Sequence, residues 1–183
     1  MLQTLIPVTQ ASFISKQSTA HAIARVSNLL HQHPEATLLL LNIEKAYDTV
    51  SHTWLQEVLH KGGFLPNLVN IIITLNTGTT QLLVNNILSR PIPLWSGIKQ
   101  GDPLFPTLFN LCLYSMHTKL HKENILHQAY ANDTIILLQS KKDLKVATSL
   151  ITDFFKLLGL KINREKCTIL VMEAETQFKS HPF

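Results

Sequence analysis

Apolar residues recur along this chain with two periods, and the switches between them divide it into elements. From Ser18 to His31, the positions of Ala20, Ile23, Ala24, Val26 and Leu30 predict an amphipathic helix. The stretch "ATLLLLNI" that follows is a continuous apolar run of strand length, which predicts a buried central strand. Ser51 is suited to cap a short helix through Trp54, Val58 and Leu59 that Gly62-Gly63 brings to an end. Pro66 fits the first turn of another helix, ending near Gly78. In "TTQLLVNNILSRPIPL" the pattern predicts a hairpin turning at Asn85-Asn86, with prolines that push its second strand to an edge. Asp102-Pro103 then opens a long helix through Leu113 and Leu120. "AYANDTIILL" reads as a tight hairpin with Asn132 and Asp133 at its tip, and a helix from about Asp143 to Leu158 stops at Gly159. "CTILVM" supplies a last strand.

From Thr37 onward the order is strand, inserted helices and hairpin, helix, strand, strand, helix, strand. The simplest fold for it is α+β, an antiparallel ferredoxin-like sheet with two helices on one face. The end of the first strand, near Asn42, and the hairpin tip near Asn132 then lie side by side on the open face. No repeat or low-complexity linker divides the chain, and only the polar end from Glu173 to Phe183 reads as a frayed tail.

Composition narrows this picture slightly. A chain of 183 residues that is 45% hydrophobic can bury a sizeable core. A formal charge of +4 is compatible with a polyanionic partner but does not select one. Cys112 and Cys167 lie far apart, so no disulfide framework is indicated and a reducing compartment is expected. The start lacks a basic n-region, and the apolar runs are too short to span a bilayer. The expectation is an intracellular protein, cytoplasmic or nuclear, neither secreted nor in a membrane. His117 and His121 sit one helical turn apart, but without the glutamate of a HExxH zinc site.

Four strings in order, "LLLLNIEKAYDTVSH", "SGIKQGDPLFPTLFNL", "AYANDTIILL" and "LGLKINREKCTIL", resemble successive palm motifs of reverse transcriptases, in particular those of non-LTR, LINE-type retrotransposons. "QASFISKQSTAHAI" resembles the finger segment that precedes the palm in that family. The resemblance implies partial fingers over residues 1–36, a palm with inserted finger helices and hairpin over 37–172, and a tail over 173–183, without a thumb. It implies RNA-directed DNA polymerisation on an RNA template and a DNA primer, with Mg²⁺ or Mn²⁺ as cofactor. Two such ions would clamp the attacking hydroxyl and the triphosphate. It assigns their carboxylates to the positions of Asn42, Asn132 and Asp133, of which only Asp133 remains anionic. Amides contribute no formal charge to a site that depends on carboxylates, so metal recruitment at Asp133 is expected to be crippled. For Asn132 alone, the capacity of Asn to take left-handed backbone angles at a hairpin tip is the competing explanation.

Other family positions are carried over one at a time. Tyr47 falls where an aromatic ring crowds the sugar 2′ position, with plain core packing as its alternative. Gln100 and Gly101 fall where the template-primer minor groove is approached, and Lys166 where a lysine assists pyrophosphate departure. The family's GFRxGRS pattern is lost over Ser12 to Ser18, taking both arginines with it. Lys16 supplies at most a point charge for a triphosphate. The connection "HTKLHKENILHQ" is shorter than the family pattern, which puts one palm strand at risk. The expected function is therefore a reverse-transcriptase-like palm with little or no catalysis, either a decaying remnant or a retained nucleic-acid-binding module. Two other readings stay open: an active polymerase, and a scaffold that binds a protein on the surface a thumb would cover.

Overall fold

The computed structural model of the chain describes residues 9–14, 16–99, 101, 103–172 and 178–182, and for Met172 and 178–182 the backbone alone. In chain order the elements are α1 (Thr19–Gln32), β1 (Thr37–Leu41), β2 (Ile43–Glu44), α2 (His52–Lys61), α3 (Pro66–Asn76) and β3 (Gly78–Thr80). Next come β4 (Leu83–Val84), β5 (Ile87–Leu88), β6 (Ile92–Leu94), α4 (Phe105–Lys122), β7 (Leu126–Tyr130) and β8 (Asp133–Leu138). The chain closes with α5 (Lys141–Leu158), β9 (Lys161–Ile162), β10 (Thr168–Met172) and β11 (Phe178–Pro182).

The main sheet is antiparallel in the order β11-β10-β1-β8-β7, so the continuous apolar run does lie at its centre. Leu39 and Leu41 face a large core built with Ile136, Leu138 and the helices α4 and α5. Leu38, one residue out of phase, turns to the other face and meets Leu137 under Leu29 and Leu30 of α1. That double burial is why no polar residue interrupts the run from Leu38 to Leu41. Ser51 and Ser18 cap their helices as expected, accepting from the backbone N–H of Trp54 and His21. Gly159 closes α5 at φ +74, where a side chain would be strained.

Three expectations change. The long helix starts at Phe105 with Pro106 in its first turn, after the predicted Asp102-Pro103 opening; Asp102 lies outside the described residues. The strand at risk from the short connection is present, because β7 begins within that connection at Leu126. The supposed tail includes β11, which pairs with β10 from Met172↔Phe178 to Thr168↔Pro182. The outer edge of β10 presents main-chain donors and acceptors that any extended segment within reach can satisfy, and such pairing requires no apolar pattern.

The hairpin at Asn85-Asn86 turns with both residues at positive φ (+49 and +62), the type I′ requirement that Asn tolerates. Its strand residues Leu83, Val84, Ile87 and Leu88 are 60–72% exposed, so among the described residues the hairpin packs on almost nothing.

His117 of α4 stacks on His127 of β7 with ring centroids 5.2 Å apart, both buried. His117 has no hydrogen-bond partner at either ring nitrogen, whereas His127 Nδ1 lies 2.9 Å from the Ile125 carbonyl. Burial, followed by the neighbouring His127, lowers the His117 pKa from about 6.5 to about 3. Burial also lowers that of His127, opposed by the Ile125 hydrogen bond and aided by His121. Unfolded imidazoles bind protons that the folded pair refuses, so stability is full above about pH 6.5 and falls as pH drops below it, by up to about 1.4 kcal/mol per unit for each ring. Thermal unfolding at pH 7.5 and pH 5 is expected to show this loss. His117→Leu is expected to flatten it and to stabilise the protein at neutral pH by about 1–3 kcal/mol, because two unpartnered buried nitrogens disappear.

Candidate active site

β1 ends at Leu41, and after Asn42 the backbone moves to a different partner, Ile43↔Ile162 in β9. Asn42 is held at this break on three sides. Its carbonyl accepts the Asn163 N–H at 3.0 Å, its N–H lies 3.3 Å from the buried Cys167 Sγ, and that thiol points back at the same carbonyl at 3.7 Å. Across the sheet, β7 and β8 are joined by only two residues, Ala131 and Asn132, between the paired Tyr130 and Asp133. Antiparallel pairing of β1 with β8 carries this turn to Asn42. The Asn42 Nδ2 donates to Asp133 Oδ1 at 3.0 Å, joining residues 91 apart in sequence.

The direction of that bond decides the chemistry. An ionised carboxylate only accepts, so the amide must turn its NH₂ toward Asp133 and its oxygen elsewhere. The contact takes the place of the repulsion that two carboxylates would suffer here without a metal. A pair of divalent ions requires clustered anionic oxygens, and Asn42, Asn132 and Asp133 together offer one carboxylate, one oxygen of which already accepts from an amide. The residues present do not fit such a pair. Among the described residues no group of three His, Cys, Asp or Glu side chains is placed to hold a metal ion.

Asn132 does not have a positive φ; the left-handed residue of the turn is Ala131, at φ +55. Positive φ at the first loop position is the type II′ pattern, which favours Gly there. A left-handed backbone angle therefore does not explain Asn132. Its Oδ1 accepts from the Tyr47 hydroxyl at 3.4 Å. The Tyr47 ring packs between Phe105 and Phe109, with centroids 4.7 and 4.5 Å away. Burial, then the negative charge of Asp133, raises the Tyr47 pKa above its usual 10, so the phenol stays a donor. Packing and a place at the site are thus combined in one residue.

Asn42, Tyr47 and Asn132 border an open cleft of about 470 Å³ whose lining also includes Glu44, Lys45, Asp48, Asn163 and Lys166, whereas Asp133 lines a separate cavity beside α1. Lys166 is exposed at the cleft margin, its N–H turned to the Asn163 carbonyl. Lys16 is exposed at φ +64 and does not line the cleft. Gly101 has φ +93 with open space where a Cβ would project, and Gln100 lies outside the described residues.

The reading of the sequence passed over residues that hold the site together. Gly97 docks the loop before α4 onto the turn after β2: its N–H donates to the Val50 carbonyl at 2.8 Å, and the Ile98 N–H to that of Tyr47 at 2.9 Å. His52 Nε2 donates to the Gly97 carbonyl at 2.8 Å, and Ser96 Oγ to that of Asp48 at 3.0 Å. The buried Asn76 accepts from the Lys99 N–H while donating to the Ile72 carbonyl, tying the same loop to α3. Gly97 and Asn163 stand inside two of the four motif strings, a visible signal, whereas Asn76 carried none.

Comparison with known proteins agrees with this geometry. The family described as "Reverse transcriptase (RNA-dependent DNA polymerase)" matches residues 1–182. The retrovirus-related Pol polyprotein from type-1 retrotransposable element R2 of Popillia japonica is 34% identical over 140 residues, covering 69% of this chain and 23% of that protein. The RNA-directed DNA polymerase from mobile element jockey of Drosophila melanogaster is 30% identical over 181 residues, covering 88% of this chain and 19% of that protein. The chain thus spans less than a quarter of these relatives. Among solved structures, the telomerase of Candida tropicalis in complex with the TWJ fragment of telomeric RNA superposes with a TM-score of 0.70 at 14% identity, covering 91% of this chain and 31% of that one.

Proposed function

The chain belongs to the reverse transcriptase (RNA-dependent DNA polymerase) family, with R2 and jockey non-LTR elements among its relatives; from that premise we propose that it is a palm that grips nucleic acid but is catalytically impaired. Residues 37–172 act as the palm with its inserted finger elements, and residues 1–36 as partial fingers. The observation that carries this reading is the Asn42 amide donating to Asp133, a carboxylate engaged where a metal would need it free. Asn42, Asn132 and Asp133 occupy the positions of the metal aspartates, Asp133 alone keeping its charge. Tyr47 borders the place of the incoming sugar, Lys166 the side on which pyrophosphate would leave, and Gln100 and Gly101 the primer-template groove. Lys16, which does not line the cleft, takes little part. When bound, Mg²⁺ or Mn²⁺ would supply charge neutralisation at the phosphates, and this donor set is poorly matched to either ion.

The partner on this reading is an RNA template paired with a DNA primer. No helix among the described residues is long and apolar enough to cross a membrane. Binding without a metal makes a specific forecast. Primer-template affinity is expected to be unchanged by EDTA, nearly independent of sequence, and to fall by about tenfold or more between 50 and 200 mM salt as phosphate counterions are released. Fluorescence anisotropy reads all three. An affinity that requires Mg²⁺ would overturn the proposal. A scaffold reading would draw on one observation, the exposed apolar hairpin of β4 and β5, a surface other than the thumb-facing one expected from the sequence. Replacing Ile87 and Leu88 by Ser separates the two, since only a protein complex should depend on those side chains.

A further inference from the structure

The turn between β7 and β8 is held in an unfavourable backbone conformation by a residue that belongs to neither strand. Gln10 is 1% exposed and lies beside β7, flanked by main-chain bonds from the Ala11 N–H to the Ala129 carbonyl (3.0 Å) and from the Ala129 N–H to the Thr9 carbonyl (2.7 Å). Its side chain reaches past the end of β7 into the turn. Gln10 Nε2 donates to the Ala131 carbonyl at 3.2 Å, and the Ala131 N–H donates to Gln10 Oε1 at 3.1 Å. One carboxamide therefore satisfies both main-chain groups of Ala131, the residue at φ +55 in a position that favours Gly.

The carboxamide is itself fixed. Ser12 donates to Gln10 Oε1 from its N–H at 3.1 Å and from its hydroxyl at 3.0 Å, and Asn110 Nδ2 of α4 donates to the Ser12 carbonyl at 3.0 Å. The Ser12 donors leave Oε1 facing them and Nε2 facing the Ala131 carbonyl, so the orientation follows from the donors present. Asn would be too short for this reach, Glu when ionised would lack the donor, and Leu would strand two buried main-chain groups.

We propose that Gln10 is a positioning residue that holds the Tyr130–Asp133 turn in its strained form, and so sets where Asn132 and Asp133 stand relative to Asn42. It links the segment before α1, and through Ser12 and Asn110 the helix α4, to the two residues that the proposed function places at the reaction centre, and in that respect it rests on that reading. A core-filling role would be blind to the backbone conformation of residue 131, whereas a clamp is needed less when that residue is glycine.

Amide hydrogen exchange by NMR on the full chain tests this with Gln10→Leu, Ala131→Gly and the double variant. Gln10→Leu is expected to speed exchange at the Ala131 and Asp133 amides by about tenfold or more, leaving Leu39 and Ile136 within about twofold of the parent. Ala131→Gly in the Gln10→Leu background is expected to return the Asp133 amide most of the way to its parental rate. Equal acceleration throughout the core, no change at Ala131, or no rescue by glycine would each overturn the proposal. If Gln10→Leu fails to fold, Ser12→Ala removes one donor from Oε1 and is expected to give a smaller acceleration confined to the turn; acceleration spread evenly through the core would count against the clamp. In the Asn42→Asp, Asn132→Asp protein, adding Gln10→Leu is expected to weaken Mn²⁺ binding by about tenfold. Should that aspartate protein bind no Mn²⁺, the reading of the site fails, while the exchange rates still decide the role of Gln10.

Discussion

Returning aspartate to positions 42 and 132 together is expected to raise primer extension on an RNA template by at least about 100-fold in Mg²⁺, equivalent to about 2.7 kcal/mol of barrier. The expectation follows from charge. In the parent, Asp133 faces an NH₂ group at 3.0 Å, so one lone pair of its Oδ1 is taken by a neutral donor, and positions 42 and 132 carry no charge. With three carboxylates at positions 42, 132 and 133, repulsion among them makes a divalent cation the favoured partner, and the cleft beside Tyr47 stays as it is. The same repulsion is expected to make the double variant less stable than the parent in EDTA and to make Mg²⁺ raise its Tm, a dependence not expected of the parent. Gel-resolved extension with Mg²⁺ and with Mn²⁺ checks the rate, and thermal unfolding with and without EDTA checks the linkage. Extension by the parent at a comparable rate would mean that the amides do not silence the site. A silent double variant that nevertheless gains a metal-dependent Tm would shift the defect to the lost finger arginines.

Gly97→Ala is expected to cost about 3–5 kcal/mol of stability, at the upper end of single-residue effects, because two penalties coincide. At φ +95 an L residue is strained, and a Cβ would stand 2.8 Å from the Asp48 carbonyl oxygen and 3.0 Å from its Cα. Those neighbours are backbone, and the Asp48 carbonyl is already fixed by Ser96 Oγ, so they cannot rotate aside. The loop would have to lift, breaking the bonds from the Gly97 and Ile98 N–H groups to Val50 and Tyr47. Gly101→Ala is the matched control. It shares a positive φ (+93) but among the described residues meets nothing within 4 Å, so only the backbone penalty of about 1–2 kcal/mol applies. Urea unfolding of the two variants separates steric docking from backbone preference; equal losses would show that the close approach to Asp48 does not matter.

Much of this protein can be read along one dimension. Burial of β1 on both faces appears as the run Leu38 to Leu41, because a strand covered on both sides has no room for alternation. Helix ends at Ser18, Ser51 and Gly159 are visible because caps are local chemistry between residues a few positions apart. The two asparagines stand out for the same reason, since a neutral side chain in a motif that calls for charge is a property of residue type alone. What the sequence could not reveal involves partners brought together by register. Nothing near Asn42 announces that its NH₂ will meet Asp133, and nothing in a polar end announces that Phe178–Pro182 will pair with β10. Gln10 is an unremarked polar residue until packing sets it beside a turn 121 positions away, and Asn132 looks like a turn former until Ala131 is found to take the left-handed angle instead. Periodicity, caps and formal charge arise from neighbours in the chain, so sequence determines them. Long-range hydrogen bonds depend on strand register and side-chain reach to within fractions of an ångström, and those are decided only when the sheet and its helices close on one another.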